Sequence, residues 1–224
     1  MDVKIEHTTL AEKAYAQLRS GLISAQFRPG ETIRIRTLAD QYGISATPVR
    51  EAMQRLVAEN ALEMQPNKSF QVPILTVERF QEIRRMRIAL EPMAAELAYK
   101  NLVKRDLRAL DDLVEDMDDA TQQRNIGEYI VCNERFHFLI YEKSDAPLLL
   151  GVISDLWVLA APFFSRLFEG SEYLKKSNHW HKKTLAAYRK NDVEGFGECI
   201  RQDILLASET LLSKLNQEFE KGSD

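Results

Sequence analysis

Residues 38–57 constrain the fold more than any other segment, because they predict two short helices joined by a tight turn. Gly43 supplies the backbone freedom that ends the first helix. Ser45 is a preferred N-cap residue for the second helix, and Pro48 is tolerated in its first turn, which has no internal N–H bonds to lose. The inward-facing apolar positions recur at helical spacing: Leu38, Ala39, Ile44, Val49, Ala52, Met53, Leu56 and Val57.

The opposite face of the second helix is polar and carries Thr47, Arg50 and Gln54. This layout is typical of a helix-turn-helix, whose recognition helix places its N-terminal residues in the major groove of DNA. An ordinary helical hairpin has the same outline, so the flanking sequence has to decide between the two.

A β-hairpin is predicted directly after the recognition helix. Residues 61–64 and 70–72 alternate apolar and polar side chains around Pro-Asn-Lys-Ser at 66–69. A hairpin in that place is a wing, with Asn67 and Lys68 at its tip, within reach of backbone phosphates or the minor groove.

A helix is also predicted upstream, with Thr9 as its cap and a break at Arg28-Pro29-Gly30. Its apolar stripe consists of Leu10, Ala14, Leu18 and Leu22. The order helix, helix, turn, helix and wing therefore predicts a winged helix-turn-helix domain over residues 1–75.

The charge distribution agrees with this interpretation, although the net charge is −4. Residues 1–75 contain nine Lys and Arg against eight Asp and Glu, and residues 76–224 contain 21 against 26. Basic charge needs to cluster only on the face that contacts DNA. The residues available for it are Arg28, Arg34, Arg36, Arg50 and Lys68.

Residues 76–224 show helical periodicity only, which predicts an all-α domain after the linker at 73–76. Six helices fit, at about 77–100, 103–123, 125–143, 146–168, 171–190 and 193–219. Pro92 and Pro162 predict kinks inside two of them. The chain is thus expected to be mainly α, with a six-helix antiparallel bundle whose interior suits a ligand cavity.

Several features of the sequence favour a cytoplasmic protein that does not enter a membrane. The N-terminal residues contain no apolar signal region. The apolar run Leu156–Phe164 is too short to span a bilayer. Two cysteines, Cys132 and Cys199, are expected to be buried thiols of a reducing compartment.

A few polar residues are predicted to enter the bundle interior. Tyr129, Asn133 and His137 are spaced four apart and share one helix face. His181 and Asp203 lie on the last two predicted helices, and each histidine is alternatively a satisfied core residue. His179 is off the pattern and is expected at the surface.

Residues 10–72 resemble the winged helix of the GntR family of bacterial transcription regulators. The matching segments are Phe27-Arg-Pro-Gly30, Leu38-Ala, Ser45-Ala-Thr-Pro-Val-Arg-Glu-Ala52 and Pro66-Asn67. The resemblance implies operator contacts by Arg36, Ser45, Thr47 and Arg50. Ala46 departs from the family, which usually has Arg there, and Arg paired with guanine is the commonest specific base contact.

Residues 77–219 resemble the FCD ligand-binding domain of the FadR subfamily, and six helices indicate its VanR-like branch. Asn133-Glu-Arg-Phe-His137 matches the family's Asp-x-x-Phe-His, and His181 matches a second histidine. Family members often hold zinc or nickel with one Asp and three His, so the resemblance implies a divalent metal site. In this chain the ligand set is Asn133, His137, His181 and Asp203. Asn133 stands at the family's Asp position and Asp203 at its last His position, so the carboxylate has changed places.

The resemblance also implies an effector. Arg87 matches a cavity-facing family position, where it would clamp a carboxylate with paired hydrogen bonds, and Tyr129 would line the same cavity. Alternatively, Arg87 forms a surface ion pair. The expected function is a homodimeric regulator, more commonly a repressor, that binds a pseudo-palindromic operator and responds to a small organic acid.

Two other classes of protein compete with a regulator. A metal-dependent hydrolase would use His137, His181 and Asp203 as ligands and Glu134 as base, but the sequence has no His-Glu-x-x-His motif, phosphate loop or nucleophile elbow. A protein-interaction bundle would use the winged part for docking. The enzyme would leave the winged domain without a role, so we expect that the chain is not an enzyme.

Overall fold

The structure is a computed structural model that describes residues 9–66, 69–169, 173 and 176–221. The expected fold class is confirmed, since the chain is mostly helical with one small antiparallel sheet. The N-terminal elements are α1 (Leu10–Ile23), β1 (Thr32–Ile33), α2 (Ile35–Tyr42), α3 (Ala46–Ala58), β2 (Glu63–Met64) and β3 (Phe70–Gln71).

The sheet has the order β1-β3-β2, with antiparallel pairs on both sides of β3. Phe70 lies opposite Ile33 on one side and Met64 on the other. The predicted hairpin is present, and its strands are shorter than the alternating segments. Sequence patterns did not predict β1, because two residues are too few to show a period.

Helix α1 begins with a capping box in which the backbone N–H of Glu12 donates to Thr9 Oγ1 over 3.1 Å, and the backbone N–H of Thr9 donates to Glu12 Oε2 over 2.6 Å. Ala14, Leu18 and Leu22 are buried as predicted. The prediction is wrong for Leu10, which is 53% exposed. It lies in the first turn, where the helix end projects beyond its neighbours.

The turn between α2 and α3 is built as the sequence predicts. Gly43 has φ 65° and ψ 32°, a left-handed conformation that closes α2. Ser45 is the N-cap residue of α3, but its side chain makes no capping hydrogen bond. The Ser45 hydroxyl therefore stays on the exposed surface at the start of α3.

The C-terminal part contains six α-helices among the described residues: α4 (Val77–Ala98), α5 (Lys104–Gln122), α6 (Ile126–Tyr141), α7 (Pro147–Ala160), α8 (His179–Arg189) and α9 (Val193–Lys221). One predicted boundary is wrong. The fourth helix changes to a 3₁₀ segment at Ala161–Phe168, where Pro162 has no N–H to continue the α-helix. The helix that carries His181 begins at His179, after a turn at residues 176–178, and the predicted start at 171 lies outside the described residues.

Helix α4 is central to this bundle and packs against α9, α7 and α6. Ala94, Ala95 and Ala98 are fully buried on α4, so small side chains line its buried side. Pro92 is accommodated within α4 without ending it.

The winged part contacts the bundle through α1 and α7. The Arg19 guanidinium reaches Asp155 Oδ1 at 2.5 Å and Ser154 Oγ at 3.0 Å on α7. On its other side it lies 3.3 Å from Glu59 Oε2, at the end of α3. One side chain thus joins α1, α3 and α7.

One segment, Pro147–Phe168, is long and apolar enough to cross a membrane, with a mean hydropathy of 1.8. It is longer than the apolar run noted in the sequence. Half of it is buried inside the protein, where Trp157 and Phe163 are 1% exposed. This composition is also that of the core helix of a soluble protein.

Gly43→Ala should lower the free energy of unfolding of the winged part by about 1–2 kcal/mol, because the left-handed conformation is costly for a residue with a Cβ. No atom lies within 4 Å of the added Cβ, so the cost is conformational only. Urea titration measures it. Gly127→Ala on α6 is the control and should be neutral or stabilising, since Gly127 is helical and its nearest neighbour lies at 3.8 Å. Equal stability of the two variants would contradict the prediction.

Candidate metal centre and nucleic-acid interface

Three helices bring His137, His181 and Asp203 together in the interior of the bundle. The two Nε2 atoms lie 3.2 Å apart, and Asp203 Oδ2 lies 3.3 Å from His137 Nε2 and 3.8 Å from His181 Nε2. The histidines are 1% exposed and Asp203 is 7% exposed. Tetrahedral zinc with bonds of about 2.0–2.1 Å separates its donor atoms by roughly 3.3 Å, so this spacing fits a metal ion.

The tautomer of His137 is set by its neighbours. Tyr141 donates its only hydroxyl proton to Glu91 Oε2 over 2.7 Å, and the same oxygen lies 3.0 Å from His137 Nδ1. Because that proton is already used, Tyr141 has to accept a hydrogen bond from Nδ1–H. The Nε2 lone pair of His137 is then directed at the cluster.

The tautomer of His181 follows from the same reasoning. Asn178 Nδ2 donates to Val114 O over 2.8 Å and to Asp118 Oδ1 over 2.9 Å, which assigns the amide orientation. Asn178 Oδ1 then faces His181 Nδ1 at 3.0 Å and accepts its proton. The Nε2 lone pair of His181 is also directed at the cluster.

The electrostatics of the cluster favour a bound cation. Burial is the largest influence on the pKa of His181 and lowers it; Asp203 opposes this shift, His137 adds to it, and the resulting pKa is about 4. The imidazole of His181 is therefore neutral at pH 7. For Asp203, burial raises the pKa, but the histidines and Arg87 lower it more, and the net shift is downward. A neutral imidazole and an ionised carboxylate are the deprotonated forms that a metal requires.

The cluster opens into a cavity of about 20 Å³, which holds about one water molecule or a small ion. The predicted residues Asn133, Tyr129 and Arg87 line this cavity together with His137 and Asp203. Trp157 also lines it, and its buried Nε1–H has no hydrogen-bond partner among the described residues. An organic acid needs more room, so its entry requires the cavity wall to move.

Arg87 forms a buried ion pair instead of the surface pair considered from the sequence. Its Nε lies 2.5 Å from Glu91 Oε1, and its guanidinium stacks 4.7 Å from the ring centre of Trp157 and 5.3 Å from that of Phe164. Burial lowers the pKa of Arg87, but Glu91 raises it more, and the net shift is upward. Because Glu91 balances its charge, Arg87 is not a free cation waiting for a carboxylate.

Sequence reasoning missed four residues that complete the site: Glu91, Tyr141, Trp157 and Asn178. Glu91 follows Arg87 by four positions, and Tyr141 follows His137 by four positions, so helical spacing was a usable signal for both. Asn178 precedes His181 by three positions, which is also helical spacing, whereas Trp157 has no such signal because tertiary packing alone brings it to the site. His179 is exposed, as expected.

The candidate nucleic-acid interface lies on the exposed side of α2 and α3. The predicted contact residues on it are all exposed: Arg36, Ser45, Thr47, Arg50 and Gln54. The buried side of α3 carries Val49, Ala52, Met53 and Leu56. The predicted wing-tip contacts Asn67 and Lys68 lie outside the described residues.

The two arginines of α3 differ in their surroundings. Arg55 stacks 3.7 Å from the ring centre of Tyr15 and pairs with Glu59 at 3.2 Å. Arg50 makes no ion pair with the described residues. Arg50 is therefore the α3 arginine whose charge remains available for another molecule.

Comparisons with known proteins bear on both parts of the chain. Residues 10–72 match the model of the gntR family of bacterial regulatory proteins, and residues 82–205 match the FCD domain. The HTH-type transcriptional regulator McbR of Escherichia coli is 35% identical over 202 residues, which cover 89% of this chain and 91% of McbR. The Nta operon transcriptional regulator of Aminobacter aminovorans is 31% identical, covering 76% of this chain and 80% of that protein.

Solved structures show the same fold. The structure of E. coli McbR/YncC has a TM-score of 0.84 and 32% identity, covering 95% of this chain and all of that chain. A GntR regulator from Rhodococcus has a TM-score of 0.73 at 16% identity, covering 91% of this chain and 97% of that one, which supports the fold alone.

The relatives and the gntR family model describe transcriptional regulators, which confirms the expectation that the chain is not an enzyme. The chain belongs to the GntR family of bacterial regulatory proteins: it is a DNA-binding transcriptional regulator with an FCD domain in its C-terminal part.

Proposed function

We propose that this regulator is a cytoplasmic, homodimeric repressor of the FadR subfamily that holds a divalent metal and releases its operator when a small organic acid binds. The observation that carries the proposal is the convergence of two imidazole Nε2 atoms and the Asp203 carboxylate beside a small cavity. The exposed face of α3 supplies the second requirement, a surface for the operator.

The proposed metal ligands are His137, His181 and Asp203, with the Asn133 carbonyl oxygen as a weak fourth. Zinc or nickel suits two imidazoles and one carboxylate. Tyr141 and Asn178 hold the imidazoles by their Nδ1–H groups, as the outer partners of metal-bound histidines do. When bound, the metal supplies a positive centre for an acidic effector.

The chemistry of the cavity favours an oxygen-rich effector. The Trp157 indole is a donor only, so a group that satisfies its Nε1–H has to be an acceptor, such as a carboxylate oxygen. Arg87 and Tyr129 line the same space and orient the effector, while Glu91 keeps the Arg87 charge in balance.

Helix α7 connects the cavity to the winged part. Trp157 lines the cavity, and Asp155 on the same helix contacts Arg19 of α1. Because the cavity is too small for an organic acid, effector binding has to displace this wall and so change the support of α1. An effector shifts the equilibrium only if its affinity differs between the arrangements that bind and do not bind DNA.

On DNA, α3 lies in the major groove, where Arg50 and Thr47 face base edges and Ser45 and Arg36 contact the backbone. Ala46 replaces a base-reading arginine of the family, so the operator differs from those of relatives at that base pair. A methyl side chain there suits the thymine methyl group.

Gel shifts with the chain's own promoter region test the regulator directly. Arg50→Ala should weaken operator binding by about 1–3 kcal/mol if its guanidinium contacts a base. Arg108→Ala, an exposed arginine of α5, is the matched control and should bind as the unmodified chain does. Equal affinities for the operator and a scrambled sequence would contradict a specific regulator.

Metal binding is tested by elemental analysis and by titration with zinc and nickel. The unmodified chain should bind about one ion, and His137→Ala with His181→Ala should lose it, because two of three strong ligands are removed. His179→Ala is the matched control, since this histidine is exposed two residues from His181. Asn178→Ala should lower the affinity by about 10–100-fold. Full metal content in the double variant would place the metal elsewhere.

Effector binding is tested by thermal shift with acetate, lactate, malate and citrate. An acid that raises the melting temperature of the protein should also release the protein from operator DNA. Trp157→Phe should lower the affinity for that acid by roughly tenfold, because the substitution removes the Nε1–H and retains an aromatic ring. Its metal content should be unchanged. If Trp157→Phe responds as the unmodified chain does, the acid binds outside this cavity.

A further inference from the structure

A cleft of about 560 Å³ lies between the winged part and the bundle, separate from the small cavity at the histidines. The winged part contributes the residues that follow α1, and the bundle contributes the start of α6 and the end of the 3₁₀ segment. We call this space the interdomain cleft, and its lining includes Ser24, Arg28, Gly127, Ile130, Ser165 and Glu169. Its volume is typical of sites for small organic molecules, which occur preferentially at domain interfaces.

The interdomain cleft and the small cavity share a wall. Ile130 of α6 lines both spaces and is 3% exposed. The 3₁₀ segment Ala161–Phe168 also belongs to this wall. Its Phe164 and Leu167 side chains line the cavity, whereas Ser165 lines the cleft. The two spaces are therefore neighbours, separated by Ile130 and by this segment.

The 3₁₀ segment is suited to move. Runs of 3₁₀ helix longer than three or four residues are uncommon because their hydrogen-bond geometry is poor, and such a stretch often marks a hinge. This run has eight residues. The Lys214 ammonium of α9 fastens its end, since it donates to the backbone oxygens of Arg166 and Glu169, each over 2.5 Å. The segment is thus a wall of low intrinsic stability that one side chain holds in place.

The same segment touches the DNA-binding part of the chain. It contacts α1, as α7 does, and α1 in turn packs against the recognition helix α3. A ligand that displaces the segment therefore changes the support of α1 directly, in addition to any effect through Arg19.

The charge of the interdomain cleft favours an anion. Two arginines line it, Arg28 and Arg166, against one glutamate, Glu169. The Arg28 guanidinium is exposed and makes no ion pair with any described residue. A cleft with net positive charge raises the local concentration of small anions.

We infer that the interdomain cleft is the site at which an organic acid first binds and the route by which it reaches the small cavity. Arg28 pairs with the carboxylate in the cleft, and the acid passes Ile130 when the 3₁₀ segment moves aside. This inference rests on the acidic effector of the proposed function and assigns its entrance. The competing entrance is the part of the cavity lining at the half-buried Asn133 and Ala207.

Zinc removal by dipicolinate, a small dicarboxylic acid that chelates zinc, tests the route on the zinc-loaded full chain. The part of the removal rate that rises with dipicolinate concentration measures entry of the acid. Gly127→Phe should lower it by roughly tenfold or more, because the added ring narrows the cleft and raises the barrier to entry. The nearest atom to a Cβ at Gly127 lies at 3.8 Å, so folding is retained. Zinc affinity should be unchanged, because a barrier affects binding and release equally.

The matched control is Arg108→Phe, which adds the same ring at an exposed position of α5 outside the cleft and should leave the rate unchanged. Arg28→Gln tests the positive charge and should lower the rate by roughly threefold at low salt, with a smaller effect at high salt. Arg108→Gln is its control and should have no effect.

Lys214→Met tests the movement of the wall. Without the ammonium, the end of the 3₁₀ segment should open more often. Hydrogen exchange of residues 161–169 should therefore become faster, and so should zinc removal by dipicolinate. Exchange in α5 should be unchanged.

Acrylamide quenching tests the route without a metal. In a Trp180→Phe background Trp157, which lines the cavity, is the only tryptophan. Adding Gly127→Phe should lower the quenching, because acrylamide then has to pass a narrower cleft. This result in a chain that binds no zinc supports the route and contradicts the proposed metal site. Unchanged quenching in a chain that binds no zinc contradicts both.

The opposite outcome separates the two in the other direction. If the chain binds zinc and Gly127→Phe and Arg28→Gln lose it to dipicolinate as fast as the unmodified chain, the metal site stands and the inferred route is wrong. The entrance then lies at Asn133 and Ala207. A removal rate that does not depend on dipicolinate concentration also contradicts the route, since the acid then does not reach the metal.

Discussion

The buried ion pair of Arg87 and Glu91 is the interaction on which the interior of the bundle depends. Glu91 is fully buried, and without Arg87 its charge would be uncompensated in the core. Because the Glu91 carboxylate can only accept, Tyr141 donates its hydroxyl hydrogen bond to Glu91. The Tyr141 oxygen in turn accepts a hydrogen bond from His137 Nδ1–H. An ion pair on α4 thus sets which nitrogen of His137 on α6 carries its proton, and the other nitrogen faces His181 and Asp203.

The bundle places this site next to the part of the structure that touches the DNA-binding domain. Helix α7 carries Trp157 on its cavity side and Asp155 on its outer side. Arg19 contacts Asp155 and also Glu59 at the end of α3. Helix α7 and Arg19 therefore connect the cavity to the end of the recognition helix α3 through direct contacts.

This chain combines a common regulator architecture with ligands and contacts of its own. Asn133 and Asp203 stand where the FCD resemblance implies Asp and His, and both line the cavity. Ala46 leaves an exposed methyl group at the start of α3, where the GntR resemblance implies an arginine. DNA binding is thereby shared with the family, whereas the proposed metal affinity and the operator sequence are expected to be individual.

The sequence by itself determined the helix-turn-helix, because Gly43, Ser45 and the apolar spacing of α3 are local signals that act within a few residues. Helical spacing also put Tyr129, Asn133 and His137 on one face of α6. Only the tertiary structure decided that the Arg87–Glu91 pair is buried and that the cavity holds little more than a water molecule. It likewise placed Trp157 beside His137. These features depend on how separate helices pack, and the distances between side chains far apart in sequence are not encoded in any local period.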